Sequence, residues 1–218
     1  EAPAKPASAP TPPSGETCRE GGHAQIVDMV TPGTKVLDLG CGNGELLSIL
    51  RDQRATRGMG VDLDLRYVID VLDRGHDIFQ ADVDAGLAMI PDRMYDIAII
   101  SDTLQTVRKP RFVIQEMLRV AREGVVSFPN FGKWSQRLSL LFTGRMPKSA
   151  ALPFEWYETP NIHLFTLQDF VDICRQDGIT IEKLVCVPCC PVGKTLIGLG
   201  LCNLGADRVV ARLSRRAR

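Results

Sequence analysis

Surplus charge is the first thing this chain lacks. Its 218 residues carry 26 basic and 26 acidic side chains, for a formal net charge of zero. General nucleic-acid binding needs excess cations to displace phosphate counterions, so no nucleic-acid partner is expected. Long apolar runs are also missing. None reaches the roughly 18 residues of a membrane-spanning helix, and the N-terminus has no apolar signal core. A cytoplasmic protein with no membrane partner is therefore expected. Regular cysteine spacing is missing too. Seven cysteines stand at 18, 41, 174, 186, 189, 190 and 202. An odd, irregular set fits reduced thiols better than a disulfide framework. Cys186-Val187-Pro188-Cys189 reads as CxxC, but no second pair or nearby histidine completes four ligands, so no metal is expected. A small apolar cluster at a strand end is its plainer reading.

What is present is ordinary globular material. Hydrophobic residues make up 44% and charged residues 24%, inside the range of folded domains. Residues 1–17 are rich in Pro and Ala and cannot bury a core, so residues 1–21 are expected to be a disordered linker. The chain begins with Glu rather than Met, which suits a tether to an upstream unit, though trimming of a longer chain would look the same. Residues 22–218 are expected to form one domain.

From residue 22 helical and strand patterns alternate. Ile26, Val27 and Val30 mark one face of a short helix. Lys35–Leu39 is an apolar run entering a glycine loop, and Glu45–Arg51 reads as a helix. Met59–Asp64 and Asp77–Val83 read as further strands. Between them Leu65, Val68, Ile69 and Leu72 recur at helical spacing, with Gly75 as the stop. Tyr95–Ser101 is apolar on both faces, as a central parallel strand should be. Phe112–Arg122 reads as a helix, Gly124–Phe128 as a fifth strand, and Thr166 as the cap of a helix over Leu167–Gln176. Ile179–Val187 and Ala206–Leu213 are late strands. The pattern predicts an α/β fold: a doubly wound, Rossmann-like, mostly parallel seven-stranded sheet with one antiparallel strand. Residues 131–165 break the rhythm. They lie beyond the carboxyl end of the fifth strand, where open α/β sheets bind ligands. This insert is either a lid with an acceptor pocket or a surface elaboration.

The chemistry starts at Val36-Leu37-Asp38-Leu39-Gly40-Cys41-Gly42-Asn43-Gly44. Glycines let the backbone turn tightly and let a ligand approach with no Cβ in the way. The spacing is GxGxG, not the GxGxxG of dinucleotide sites. Asp38 before the loop and Glu45 after it would repel a pyrophosphate. They suit a ligand with an ammonium group and a sulfonium centre, as in S-adenosyl-L-methionine (SAM). Asp62 ends the second strand 22 residues after Gly40, near the roughly 20 expected of a ribose-binding carboxylate. Asp64 is the alternative ribose ligand. Asp82 ends the third strand, where a carboxylate accepts from an adenine amino group. Each Asp alone often just caps the next helix, but three at successive strand ends make a site. The cofactor-binding set is therefore Asp38, Gly40, Cys41, Gly42, Asn43, Gly44, Asp62, Leu63, Asp82, Val83 and Ser101. On the acceptor side stand Asp102, Gln105 and Asn130. Methyl transfer is mostly positioning, so the sequence singles out no catalytic residue. His163 is either a base or a structural histidine, and Trp134, Trp156 and Tyr157 either line a pocket, meet a partner or pack in the core. The C-terminal arginines Arg208, Arg212, Arg215, Arg216 and Arg218 read as a solvated basic end.

Val36–Leu47, Asp62 and Asp82 resemble the class I SAM-dependent methyltransferases. Four segments resemble the MetW family of methionine biosynthesis more closely. They are Phe128-Pro129-Asn130-Phe131-Gly132-Lys133-Trp134, Gly144-Arg145-Met146-Pro147, Leu152-Pro153-Phe154-Glu155-Trp156-Tyr157 and Thr159-Pro160-Asn161-Ile162-His163-Leu164-Phe165-Thr166. The resemblance implies a methyltransferase fold, SAM as cofactor, and homoserine O-acyltransferase as partner, in some chains fused to it. Two functions follow. One is a SAM-binding accessory unit that supports or regulates the acyltransferase. The other is a methyltransferase acting on a small molecule.

Overall fold

The computed structural model describes residues 22–149 and 154–215. The expected linker over 1–21, Leu152-Pro153 of the insert, and Arg216 and Arg218 lie outside them. A first helix, α1, covers 22–29. There follow β1 (Lys35–Leu39), α2 (Glu45–Arg54), β2 (Arg57–Asp62), α3 (Leu65–Asp73), β3 (Asp77–Gln80) and β4 (Tyr95–Ser101). The second half holds α4 (Pro110–Val120), β5 (Ala121–Pro129), α5 (Trp134–Thr143), α6 (Leu167–Gln176), β6 (Ile179–Val187), α7 (Pro191–Gly198), α8 (Cys202–Gly205) and β7 (Arg208–Arg215).

The strands form one seven-stranded sheet in the order β3-β2-β1-β4-β5-β7-β6. β1 to β5 run parallel, and β7 runs antiparallel to both β5 and β6. This is the expected architecture, with the single reversed strand. Side chains alternate across the sheet with a period of two. Leu37 and Leu39 join Ala98, Ile100 and Phe128 in one core. Val36 joins Ile97, Ile99, Val125, the α1 residues Ile26 and Val27, and Val30 just after that helix in the other. Ile97 to Ile100 are all at most 1% exposed, so β4 is sealed by helices on both faces. Among the described residues no helix is long and apolar enough to cross a membrane.

Several boundaries differ from the sequence expectation, for physical reasons. β2 stops at Asp62 and β3 at Gln80, because the next Asp turns the chain out of the sheet. Asp64 accepts the Arg66 N–H at 3.0 Å and caps α3, and Asp82 accepts the Asp84 N–H at 2.8 Å. α4 begins at Pro110 rather than Phe112, since proline at the first helical position gives up an N–H that would have no partner anyway. The apolar stripe of α3 does not face the core. Leu65, Ile69 and Leu72 are 58%, 53% and 56% exposed, and Val71 is the buried residue of that helix. The apolar segment Leu138–Phe142 of the insert lies in α5, with Leu141 and Phe142 exposed. The CxxC pair does not act as a unit. The Cys186 thiol is pushed up to about 12 by burial and by its hydrogen bond with Cys202. Cys41, Cys174, Cys186, Cys190 and Cys202 are free, whereas Cys189 is disulfide-bonded, a departure from the fully reduced set expected.

Candidate active site: an acidic cleft at the carboxyl end of the sheet

The strand order reverses between β1 and β4, and such a switch point leaves a crevice at the carboxyl ends of the strands. The glycine loop fills this position between β1 and α2. Gly40, Gly42 and Gly44 have φ of 76°, 54° and 75°, the left-handed region that costs other residues about 1 kcal/mol or more. At Gly40 there is a second constraint: a Cβ would sit 2.5 Å from the Thr103 side chain. At Gly42 a Cβ would meet nothing within 4 Å, so only its φ requires glycine.

A cleft of about 430 Å³ opens beside the loop. Gly40, Gly42, Asp62, Leu63, Asp82 and Val83 line it, so six of the eleven expected cofactor residues meet there. Asp62 does more than point inward. Its Oδ2 accepts the Gly42 N–H at 2.9 Å and its Oδ1 accepts the Asp64 N–H at 2.9 Å. The carboxylate thus clasps the loop to the start of α3. Asp64 also lines the cleft, but it is engaged in capping α3 and in an ion pair with Arg66 at 2.6 Å. Asp84 receives the N–H groups of Arg108 and Lys109, each at 2.8 Å. Asp62 and Asp84 keep lone pairs open to a further donor. The lining holds Asp62, Asp64, Asp82 and Asp84 and no Lys, Arg or His. Its field therefore favours a cationic ligand.

Five expected residues sit behind or beside the cleft. Asp38 is 1% exposed, and its Oδ1 has no hydrogen-bond partner among the described residues. Burial, and then the charge of Asp62, push its carboxyl up to about 7. Cys41 turns under the loop to pack on Leu47 and Val71, and burial pushes its thiol far up, so it is no nucleophile. The Asn43 side-chain Oδ1 accepts the Glu45 N–H at 3.2 Å at the start of α2. Gly44 is buried against Val71. Ser101 faces Ser127, with their hydroxyls 3.3 Å apart. Conversely, Tyr67, Ala81, Asp84, Thr103, Thr106 and Val107 line the cleft and were not among the expected ligands. Tyr67 follows Asp64 by three residues, about one turn of α3, and that spacing was the available signal.

Of the three residues expected on the acceptor side, Asp102 and Asn130 hold segments together, while the Gln105 side-chain oxygen is buried with no hydrogen-bond partner among the described residues. Asp102 pairs with Arg208, 5% exposed, and takes a φ of 53°. Gln105 donates to the Asp102 carbonyl at 2.8 Å, and its own carbonyl accepts the N–H groups of Ile162 and His163. Asn130, 1% exposed, donates to the carbonyls of Asn203 and Ala206 and accepts from Gly132 and Leu167. That spends all four of its hydrogen-bonding sites and ties β5, the insert, α6 and α8 together. Lys133 at the insert's start pairs with Asp207, both buried. A second hollow, of about 560 Å³, lies within the insert, lined by Phe131, Arg145, Met146, Lys148, Phe154 and Trp156 among others. Trp134 and His163 keep buried ring nitrogens without partners among the described residues and line neither cavity.

Residues 20–191 match the model of the family described as methionine biosynthesis protein MetW. The chain belongs to the MetW family. A similar relative is the bifunctional methionine biosynthesis protein MetXA/MetW of Rhodopirellula baltica, 36% identical over 169 residues. That match covers 73% of this chain but 27% of the relative, so the MetW unit spans about a quarter of the fused polypeptide. Among solved structures the MetW chain is similar to a SAM-dependent methyltransferase, possible histamine N-methyltransferase, of Thermotoga maritima. The TM-score is 0.64 at 16% identity, covering 92% of each chain. A SAM-dependent methyltransferase of Mesorhizobium loti gives 0.63 at 14%, covering 89% of this chain and 98% of that one. The cyclase SpnF gives 0.61 at 15%, covering 91% and 81%. These likenesses show the Rossmann-like methyltransferase fold. The cyclase shows that the fold also carries other chemistry.

Proposed function

We propose that this MetW unit binds SAM in the acidic cleft and acts as an accessory or regulatory unit of homoserine O-acyltransferase. The observation that carries the cofactor is Asp62, which clasps Gly42 at the end of β2 while lining the cleft. The residues fit the ligand. Asp62 has lone pairs for a ribose diol, Asp82 stands where an adenine amino group would be met, and the glycine wall carries no side chain. Four carboxylates suit an ammonium and a sulfonium. When bound, SAM supplies an activated methyl group. The protein binds, orients and shields; among the expected acceptor-side residues Asp102 and Asn130 are occupied in holding the chain together. That, together with the fused MetXA/MetW relative, favours an accessory role. An end-product derivative bound here would shift the acyltransferase by binding one of its states better than the other.

Methyl transfer to a small molecule is the second reading, favoured by the hollow inside the insert, which would serve as an acceptor pocket. Calorimetric titration with SAM tests the shared premise. Saturable binding is expected, and Asp62→Ala should weaken it at least tenfold, about 1.4 kcal/mol. No heat with the wild-type chain would sink both readings. Co-purification with the acyltransferase, and a changed acyltransferase rate on mixing, separates them. SAM turnover with no effect on the acyltransferase would leave the methyltransferase.

A further inference from the structure

The outer face of α3 is an apolar stripe that no other described residue covers. Leu65, Ile69 and Leu72 are exposed and fall within about 60° of the helix circumference at 3.6 residues per turn. Tyr67, which lines the cleft, and buried Val71 lie on the other side. Large aliphatic side chains at this spacing are what a helix presents to a packed neighbour.

The charges beside the stripe indicate which neighbour. Arg66, which also pairs with Asp64 at the start of its own helix, and Asp73 flank it on one side, within about 20° of each other around the helix but nearly two turns apart along it. If two α3 helices cross antiparallel about a two-fold axis, like flanks meet. Arg66 of one copy then stands beside Asp73 of the other, and the contact occurs twice. Leu65 of each copy meets Leu72 of the other, and the Ile69 side chains meet near the axis. Such isologous contact is the commonest way for identical chains to pair. α3 also lies next to β3, the edge strand of the sheet, so among the described residues no further strand lies beyond it.

We propose that the outer face of α3 is a self-association surface on which a second copy of this chain packs antiparallel. The stripe is short, so the interface falls at the small end of specific ones, near 1,200 Å² in total, and the dimer forms at micromolar rather than nanomolar concentration. The proposal stands whether or not the cleft takes SAM, because it uses the opposite face of the helix.

Sedimentation velocity of the purified chain, from about 1 µM to about 300 µM, tests it on the scale set by micromolar affinity. The wild-type chain should move from monomer to dimer across that range. Ile69→Asp should stay monomeric throughout with an unchanged far-ultraviolet circular dichroism spectrum. Arg66→Asp or Asp73→Arg alone should weaken the dimer, and the two together should restore it, since the exchanged charges again meet their opposites. A wild-type chain that remains monomeric at the highest concentration overturns the proposal. So does an Ile69→Asp chain that still dimerises, or a double exchange no better than either single one. If the monomeric chain instead loses acyltransferase binding on Ile69→Asp, the stripe belongs to that partner and the self-association is wrong.

Discussion

At the residue scale, Asp38 shows how a motif position can be read for type but not for depth. An acidic residue before the glycine loop is legible in the sequence. That it lies beneath the cleft rather than in its wall is not, because strand periodicity fixes a face but not a depth. The burial has a measurable effect. The Asp38 carboxyl titrates at about 7 in the fold, against 3.8 for its ordinary value. The folded state therefore holds this proton more tightly than the unfolded chain does. The resulting stability is fully present below pH ~4 and is lost as pH rises towards about 7. Asp38→Asn should abolish that slope. Urea midpoints of the variant and the wild-type chain should diverge, in the variant's favour, on going from about pH 5 to about pH 8. Equal differences at both values would mean that Asp38 is not the group responsible. Asn130 illustrates the opposite error. A polar residue after a strand reads as a ligand, yet here it satisfies backbone groups left over where four segments meet.

At the element scale, the strands were the most legible part. β4 carries the continuous apolar run Ile97-Ala98-Ile99-Ile100 because both its faces are buried. The start of α6 was equally plain. Thr166 accepts the Asp169 N–H, and Asp169 returns the bond to the Thr166 N–H at 2.8 Å, a capping box. Thr166→Ala should cost about 1 kcal/mol in chemical denaturation. Because α6 follows the insert, the loss should leave SAM binding at the other strand ends unchanged. α3 was legible as a helix and misleading as to its surroundings. Periodicity says that an apolar face exists. Whether that face meets the protein's own core or another surface depends on the sheet it lies against, and β3, at the sheet's edge, is four residues long.

At the scale of the whole molecule, the chain closes through contacts that no local reading reveals. β7 arrives last and is inserted between β5 and β6. Arg208 then pairs with Asp102 and Arg212 with Glu123, so two of the arginines expected in a solvated basic end are ion-pair partners of the sheet. The insert is moored at its entry by Asn130 and by the Lys133–Asp207 pair. Asn130→Ala should therefore destabilise the whole fold, by about 2–4 kcal/mol, since it leaves buried backbone groups unpaired. A single cooperative transition at lower denaturant should be seen. A separate early transition, with the sheet intact, would show that the insert melts on its own.

The clasp between Asp62 and Gly42 also governs speed. A loop held open by its own carboxylate has little left to order when a ligand arrives, so capture should be a single fast step and not a slow closure. The four carboxylates around the cleft draw a cationic ligand from a distance even though the chain as a whole is neutral. The association rate should then fall as salt is added, while residence time, set by contacts inside the cleft, changes far less.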